Sequence, residues 1–565
     1  MIGYFWHVTD LHVDRDYSIR GSRKLSCHRI DKGPSGLRAV GPYGDYLCNT
    51  PKLLAVSTFA AMERIKPDVD FILWTGDNMP HTKGITWPAL YSQTDWIRAA
   101  LSRHAQRHRA LLLPTLGNHD WVPANALESE DAAHYRAFLS EAGFNQLLLE
   151  DGWSTFERGE ASRPPGVLTV LELSSASDLN HESPPRLCGV RFVRLRPATA
   201  TYIMLTSEPP VFDSGYYSRS LSKNIRVVCL NSALWYSVNK GPRPGPTDPQ
   251  MTWLRDQLHD ARRLEQKVFI SGHIGPGFLA RSIAGETARM VLFDDINDKY
   301  QDLIAEYKDV VAGQFFGHQH SNAFVLLSDR NVGLFLADTL TCSKHNFQAY
   351  APHSKPYAGT PVSSVQLAGS VTPWGSGHPV YHAESVPTNP CVRLYTYHRA
   401  TGALLDYTVY YLDLEKANLD AFYQEEPQWE LLYSARNDLG VPDLSTASMV
   451  DLAKGIARSP ELLSRYIGFS SSLKDAGPCD KACRRTMLCA ALASRRDSHA
   501  ACLAQNDRHR RARLWRTNRD RGVDAIPTCL DVAVLLSVTL TGVAFILLVK
   551  RNSTMRLYAR YTRIW

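Results

Sequence analysis

The chain predicts an α/β fold, on three observations. Short apolar strands alternate with helical segments through the first third and again in the middle. Several of those strands run straight into a turn built of Gly, Asp, Asn and His. At 565 residues, 44% hydrophobic and 21% charged, the chain also has ample material for a large core. Strands alternating with helices argue for a layered fold with ligands gathered at strand ends.

The first strand is carried by Tyr4, Phe5, Trp6 and Val8, an aromatic-rich run that ends in Asp10-Leu11-His12. At strand spacing, a carboxylate and an imidazole two residues apart fall on one side of the backbone. TPKLLAVSTFAAMERI (50–65) predicts a helix, with Thr50 as cap and Pro51 at its first position. DFILWTGD (70–77) and ALLLPTLGNHD (110–120) are strands that end in turns. Residues 155–205, rich in Ser, Pro and Arg, break the pattern and read as an insertion. NIRVVCLN (224–231), KVFISGH (267–273) and VVAGQFFGH (310–318) are the later strands. Before KVFISGH, TDPQMTWLRDQL opens a helix with Asp248 as cap, Pro249 at its start, and Met251, Leu254 and Leu258 on one face. From residue 411 the character changes to helical stretches rich in Leu, Ala and Arg, which end in a cysteine cluster.

Composition narrows the function. The net charge of +7 is modest for this length, and much of it lies in one Arg-rich stretch at 508–521, so no nucleic-acid partner is expected. Twenty histidines would make the molecule far more positive in an acidic compartment. Of the eleven cysteines, Cys479, Cys483, Cys489 and Cys502 crowd together, and no nearby histidine completes a zinc-finger pattern with them. Disulfides formed in an oxidising compartment are the simpler reading. Residues 532–549, VAVLLSVTLTGVAFILLV, carry no charge and are expected to span a membrane, with basic residues on both sides. The cysteines then place the large N-terminal part in a lumen (lysosome or vacuole) or outside the cell, behind a leader expected upstream of Met1.

The strand ends carry the chemistry. Asp10 and His12 follow the first strand, Gly76-Asp77 the second, and Gly117-Asn118-His119-Asp120 the third; Gly272-His273 and Gly317-His318-Gln319-His320 come later. Any one of these alone is more simply a capped turn or a satisfied histidine. Five in order on successive strand ends point to a two-metal site. Hard oxygen donors mixed with imidazoles suit Zn, Mn or Fe.

The series D-x-H, G-D, G-N-H-D, G-H, G-H-x-H resembles that of the calcineurin-like metallophosphoesterases, and more closely the acid sphingomyelinase-like phosphodiesterases. FWHVTDLHVDRDY, GPYGDYLCNTP, FILWTGDNMPH, TLGNHD, SGHIGPGF, VAGQFFGHQH, VTPW, WELLYSARNDLGVPD and CDKACRRTMLCA carry the likeness. It implies a layered β-sandwich metallophosphoesterase fold flanked by helices, with a C-terminal helical disulfide-linked subdomain, to which the sequence adds one transmembrane helix. The expected division is a catalytic domain at 1–410, a cysteine-containing helical subdomain at 411–505, and a basic linker at 506–528. A membrane helix at 529–549 and a basic tail at 550–565 would follow.

By that resemblance Asp10, His12 and His320 hold one zinc, Asn118, His273 and His318 the other, and Asp77 bridges them. His119 is the general acid, His81 and His119 meet the substrate phosphate, and Asp120 orients His119 or simply shapes the turn. Metal-activated hydroxide would attack phosphorus in line. The resemblance also implies disulfides Cys479–Cys483 and Cys489–Cys502, with Cys27–Cys48 alongside; Cys188 with Cys229 and Cys342 with Cys391 are further options. The expected activity is hydrolysis of phosphodiester or phosphoanhydride bonds in nucleotide-type or choline-phosphate substrates, by a monomer. Sphingomyelin cleavage to phosphocholine and ceramide, endopolyphosphatase activity, and a non-catalytic lipid- or partner-binding role are the alternatives. No room is seen for a saposin-like lipid-presenting domain, which weighs against sphingomyelin.

Overall fold

The computed structural model describes residues 1–29, 40–144, 191–194, 202–205, 214–279, 289–329, 360–375, 387–474 and 479–504. Met1–Leu503 form one compact unit.

Two six-stranded sheets make up its centre. In the first, β1 (Ile2–Val8), β2 (Phe71–Trp74) and β3 (Leu111–Pro114) run parallel in that order. The second holds β4 (Tyr217–Ser220), β5 (Ile225–Cys229), β6 (Lys267–Ser271), β7 (Val311–Phe316), β8 (Ala323–Ser328) and β9 (Pro361–Leu367), in the spatial order β8-β9-β7-β6-β5-β4. There β5, β6, β7 and β9 are mutually parallel, with antiparallel strands at both edges. The first sheet is completed on the far side of β1 by antiparallel β10 (Cys391–His398), β11 (Leu404–Leu412) and β12 (Trp429–Ser434).

Alternate residues of each strand face the other sheet, and the sequence supplies rings there. Phe5 stacks on Phe71 and Tyr395 within its own sheet, at 4.3 and 4.7 Å between centroids, and meets Phe315 of the second sheet edge-on at 5.2 Å. Phe269 joins the same cluster. Truncating such a buried ring to alanine costs about 3–5 kcal/mol, so Phe5 does much to hold the sheets together. Parallel strands need crossovers, and helices supply them: α1 (Lys52–Ile65) and α2 (Trp87–His108) flank the first sheet, α3 (Pro249–Arg263) and α4 (Asp294–Glu306) the second. Thr86 caps α2 and Asp248 caps α3, each through a side chain that accepts from a backbone N–H of the first turn.

Several expectations need correcting. Thr50 does not cap α1: it pairs with Val13 in a short parallel ribbon, Pro51 takes the cap position, and the helix starts at Lys52. Within the stretch expected to be helical, β12 is a strand: it pairs antiparallel with β11 at the sheet edge and buries Trp429 and Tyr433. The membrane-spanning helix is corrected as well. No helix among the described residues is long and apolar enough to cross a membrane. Residues 529–549, which carried that expectation, lie outside the described residues, as do the linker, the tail and nearly all of 155–205. An uncharged run of about 18 residues is necessary for a span but not sufficient. The single-pass topology, and the lumenal or extracellular placement built on it, are therefore withdrawn.

Among the described residues there are three disulfides: Cys27–Cys48, Cys479–Cys483 and Cys489–Cys502. Cys229 and Cys391 are buried free thiols, which removes the pairings suggested for them; Cys188 and Cys342 lie outside the described residues. The last pair of C-terminal cysteines staples α5 (Lys481–Leu492), which packs on β8, to the segment after it. In that segment the Ser494 carbonyl accepts from Asn297 Nδ2 at 3.0 Å, while Asn297 Oδ1 accepts from Gly277 N at 2.9 Å. His499 stacks on Phe278 at 3.7 Å. The helical C-terminus thus braces the loop that follows His273.

Candidate metal centre and substrate cavity

Every polar turn singled out in the sequence lies at the C-terminal end of a parallel strand. Asp10 and His12 leave β1, Asp77 leaves β2, and Asn118 and His119 leave β3. Across the sandwich, His273 leaves β6, and His318 and His320 leave β7. Parallel strands bring all their C-terminal ends to one edge, so the topology gathers these residues.

The backbone there departs from ordinary geometry. Asp10, His12, Asp77, His318 and His320 all have left-handed φ angles, between 41° and 69°. Hydrogen bonds hold them: Asp10 N donates to Gly76 O at 3.1 Å, and His12 N to Asp77 O at 2.9 Å. Gly317 has to be glycine, because a Cβ there would run into the Thr9 side chain and the Asp10 carboxylate. Asp120 does not reach the His119 ring. Its carboxylate accepts from the backbone N–H of Gly117, Asp77 and Asn78 at 2.8–2.9 Å, tying the β2 and β3 loops together.

Two groups of ligand-type atoms share Asp77: Asp10, His12 and Asp77 form one, Asp77, His273 and His318 the other. Asp77 Oδ2 lies 3.4 Å from His12 Nε2 and 3.1 Å from His273 Nε2. His320 Nε2 is 3.2 Å from Asp10 Oδ1, and Asn118 Oδ1 is 3.1 Å from His273 Nε2. The outer atoms fix the inner ones. His12 Nδ1 meets the Met79 carbonyl at 2.7 Å and His273 Nδ1 the Thr75 carbonyl at 2.6 Å, so each Nδ1 carries the hydrogen and each Nε2 lone pair faces the cluster.

These residues fit a pair of divalent cations. Asp10 Oδ1 and His12 Nε2 are buried without a hydrogen-bond partner, which is costly unless something else occupies them. Burial alone would push the Asp10 carboxyl up, yet the imidazoles of His320 and His273 hold it well below the usual range. His273 is lowered by burial but carried up to about 9 by Asp77 and Asp10. Carboxylates and imidazoles packed this tightly demand positive charge between them, which divalent ions provide when they replace those protons.

A cavity of about 690 Å³ opens on the cluster. His81, His119, Trp121, Tyr236 and Trp374 line it, together with Lys83, Lys240 and Arg289. Burial lowers the His119 imidazole to about 4. Its backbone N–H donates to Asp77 Oδ1 at 2.8 Å, which seats the residue at the cluster's edge. His81 lies between His12 and Trp374, stacked at 3.9 and 4.0 Å. The far wall was missed in the sequence, because Tyr236, Lys240 and Arg289 sit in no polar turn at a strand end. Trp374 had a signal in the phrase VTPW, although nothing there told its role.

Two sheets that bring a doubly shared carboxylate and imidazole cluster to one edge define a dimetal phosphoesterase. The family model for calcineurin-like phosphoesterase matches residues 3–322, and that for the acid sphingomyelin phosphodiesterase C-terminal region matches 360–509. Human acid sphingomyelinase-like phosphodiesterase 3b is 30% identical over 510 residues, covering 89% of this chain and 90% of that one. Human cyclic GMP-AMP phosphodiesterase SMPDL3A is 28% identical over 515 residues, with 89% and 90% covered. Sphingomyelinase phosphodiesterase C of Dictyostelium discoideum is 24% identical over 499 residues, with 86% and 89% covered. The chain belongs to the acid sphingomyelinase-like phosphodiesterases, a branch of the calcineurin-like phosphoesterases. It is a metal-dependent phosphoric diester hydrolase, and its family implies a dinuclear metal centre.

Proposed function

We propose that this enzyme is a dinuclear-zinc hydrolase of nucleotide-type phosphodiesters and phosphoanhydrides. Asp10, His12 and His320 would hold one ion, Asn118, His273 and His318 the other, and Asp77 both; manganese or iron would suit the same donors. When bound, the ions screen phosphate charge and supply a nucleophile at neutral pH. His119 donates the proton to the leaving oxygen, its ring standing in the cavity beside Asp77. His81, its ring edge-on to that of His119 at 4.5 Å, meets the phosphate beside it. Asp120 acts by clamping the two loops, so it positions rather than reacts. Residues 1–410 are the catalytic part in this reading, with 411–505 as its helical brace.

The cavity's charge carries the substrate choice. Among its described lining residues Asp77 is the single carboxylate, whereas Lys83, Lys240 and Arg289 are cationic. A choline ammonium would enter with no negative partner beyond the metal cluster, while a second phosphate would find one or more lysines. The volume falls within the ~300–1,000 Å³ usual for ligand pockets. A relative named a cyclic GMP-AMP phosphodiesterase falls in the same substrate class. The disulfides agree with folding in an oxidising compartment.

The test supplies the zinc-loaded protein side by side with sphingomyelin micelles, a nucleotide pyrophosphate and long-chain polyphosphate. The nucleotide is expected to turn over fastest, with His119→Ala lowering kcat by roughly 10²–10⁴. Phosphocholine release as the dominant product would overturn the substrate choice. Bound metals without turnover of any substrate would overturn the catalytic assignment in favour of a binding role.

A further inference from the structure

Asn49 is buried and lies in none of the strand-end turns, yet it spends its side-chain oxygen entirely on one residue. Oδ1 accepts from the backbone N–H of His81 at 3.0 Å and contacts His81 Nδ1 at 2.7 Å. A backbone N–H can only donate, so the atom facing it is the amide oxygen and not the nitrogen. The same oxygen then requires a hydrogen on Nδ1. In the neutral ring that leaves Nε2 as a bare lone pair, the one ring atom not already engaged by Asn49.

The rest of the environment removes the ring's other freedoms. His12 and Trp374 stack on its two faces, and His119 meets it edge-on at 4.5 Å. Asn49 is itself fixed. Its neighbour Cys48 is tied to Cys27, and Thr50 N donates to His12 O at 3.1 Å. A covalent link, a buried amide, His81 and a metal-ligand candidate are thus joined through three consecutive residues, 48–50.

We propose that Asn49 is a positioning residue, which locks His81 in the Nδ1–H tautomer and a single rotation and so presents Nε2 to the substrate. The partner is a neutral amide, so it fixes direction without adding charge to a pocket that must admit an anion. This rests on the phosphodiesterase reading of the cavity for what Nε2 meets, but not for the tautomer itself.

The experiment uses the full chain loaded with zinc. Asn49→Leu keeps the bulk and removes the acceptor, and Asn49→Asp keeps the acceptor. With a nucleotide pyrophosphate as substrate, Asn49→Leu is expected to lower kcat about 10- to 100-fold with KM and zinc content little changed. Asn49→Asp, which keeps the acceptor but adds a charge, is expected to retain clearly more activity than Asn49→Leu. In a His81→Ala background Asn49→Leu should remove nothing further, since the two act as one unit. If Asn49→Leu does not fold, Asn49→Ser, too short to reach both hydrogens, replaces it. An equal loss in the His81→Ala background would show that Asn49 supports the fold rather than the ring, and would overturn the proposal. Nitrogen-15 shifts of labelled histidines, with His81 assigned from its alanine variant, read the tautomer without any turnover. A hydrogen on Nε2 in the wild-type protein would overturn the proposal even if the substrate reading stands, and failed turnover with Nδ1–H intact would overturn only the substrate reading.

Discussion

The loops at the metal cluster and the helices after residue 445 follow opposite rules. At the cluster, five residues with bulky side chains sit in left-handed backbone, a conformation that costs about 1–2 kcal/mol each. In the C-terminal part, α6 (Thr446–Arg458), α7 (Pro460–Ser470) and α5 begin on Ser445, Ser459 and Asp480, whose side chains accept from a backbone N–H three residues on. Each of those starts is the local optimum. Left-handed residues occur elsewhere too, Ser472 and Leu473 just after α7 among them, but at the cluster five of them converge on one prospective ligand, where strain is tied to function.

Asp77 tests the strained side most severely. It belongs to both ligand groups and also accepts from His119 N. Asp77→Ala is expected to lower kcat/KM by about 10⁴-fold or more, roughly 5.5 kcal/mol, and to release at least one metal by elemental analysis. Retention of both metals with more than a tenth of the activity would mean that the strain serves something else. The stapled side is tested by replacing Cys489 and Cys502 with serine together. Their bridge closes a stretch with a sequence separation of 13. Its loss should reduce unfolding free energy by ~3 kcal/mol in denaturant titrations. Metal content is expected to stay at wild-type level, and a fall in it would erase the contrast between the regions.

The same contrast explains what was legible in the sequence. Asp10, His12, Asp77, Asn118, His273, His318 and His320 stand at strand ends, all but the first two in turns opened by a glycine, so local pattern and topology both point at them. The Asp248 cap was legible for the same local reason. Thr50 misled because a tertiary pairing with Val13 outbid its capping tendency. Cys229 and Cys391 misled because spacing says nothing about which strands face each other. Asp120 reads as a partner for its neighbour His119, but its contacts run to a loop more than 40 residues earlier. Asn49 and the cavity wall at Tyr236, Lys240 and Arg289 belong to the class that no local rule detects, since their meaning lies wholly in long-range contact.

Lys240 then separates the metal cluster from the pocket wall. It is exposed, lines the cavity, and makes no contribution to the strained loops through its side chain. Lys240→Ala is expected to raise KM for a nucleotide pyrophosphate about tenfold, ~1.4 kcal/mol, and to leave kcat nearly unchanged. The effect should shrink as salt rises, because an exposed charge is screened within about 8–10 Å under those conditions. An equal fall in kcat would place Lys240 at the reacting phosphate and not beside it.

The smallest effect is the sharpest test of independence. Ser459 ends α6 and caps α7, accepting from Leu462 N at 3.1 Å and donating to Glu461 at 2.9 Å. Ser459→Ala should cost about 1 kcal/mol of stability, seen as a lowered melting temperature, with kcat unchanged. One route would make it fail to be silent. At the other end of α7 the Ser470 carbonyl accepts from Asn322 N and from Ser321 Oγ, both at 3.1 Å, immediately after His320. If loosening the first turn of α7 lowered kcat along with stability, the helix would be holding the His318–His320 loop in its left-handed geometry. The regularity of the C-terminal helices would then be what sustains the irregularity of the site.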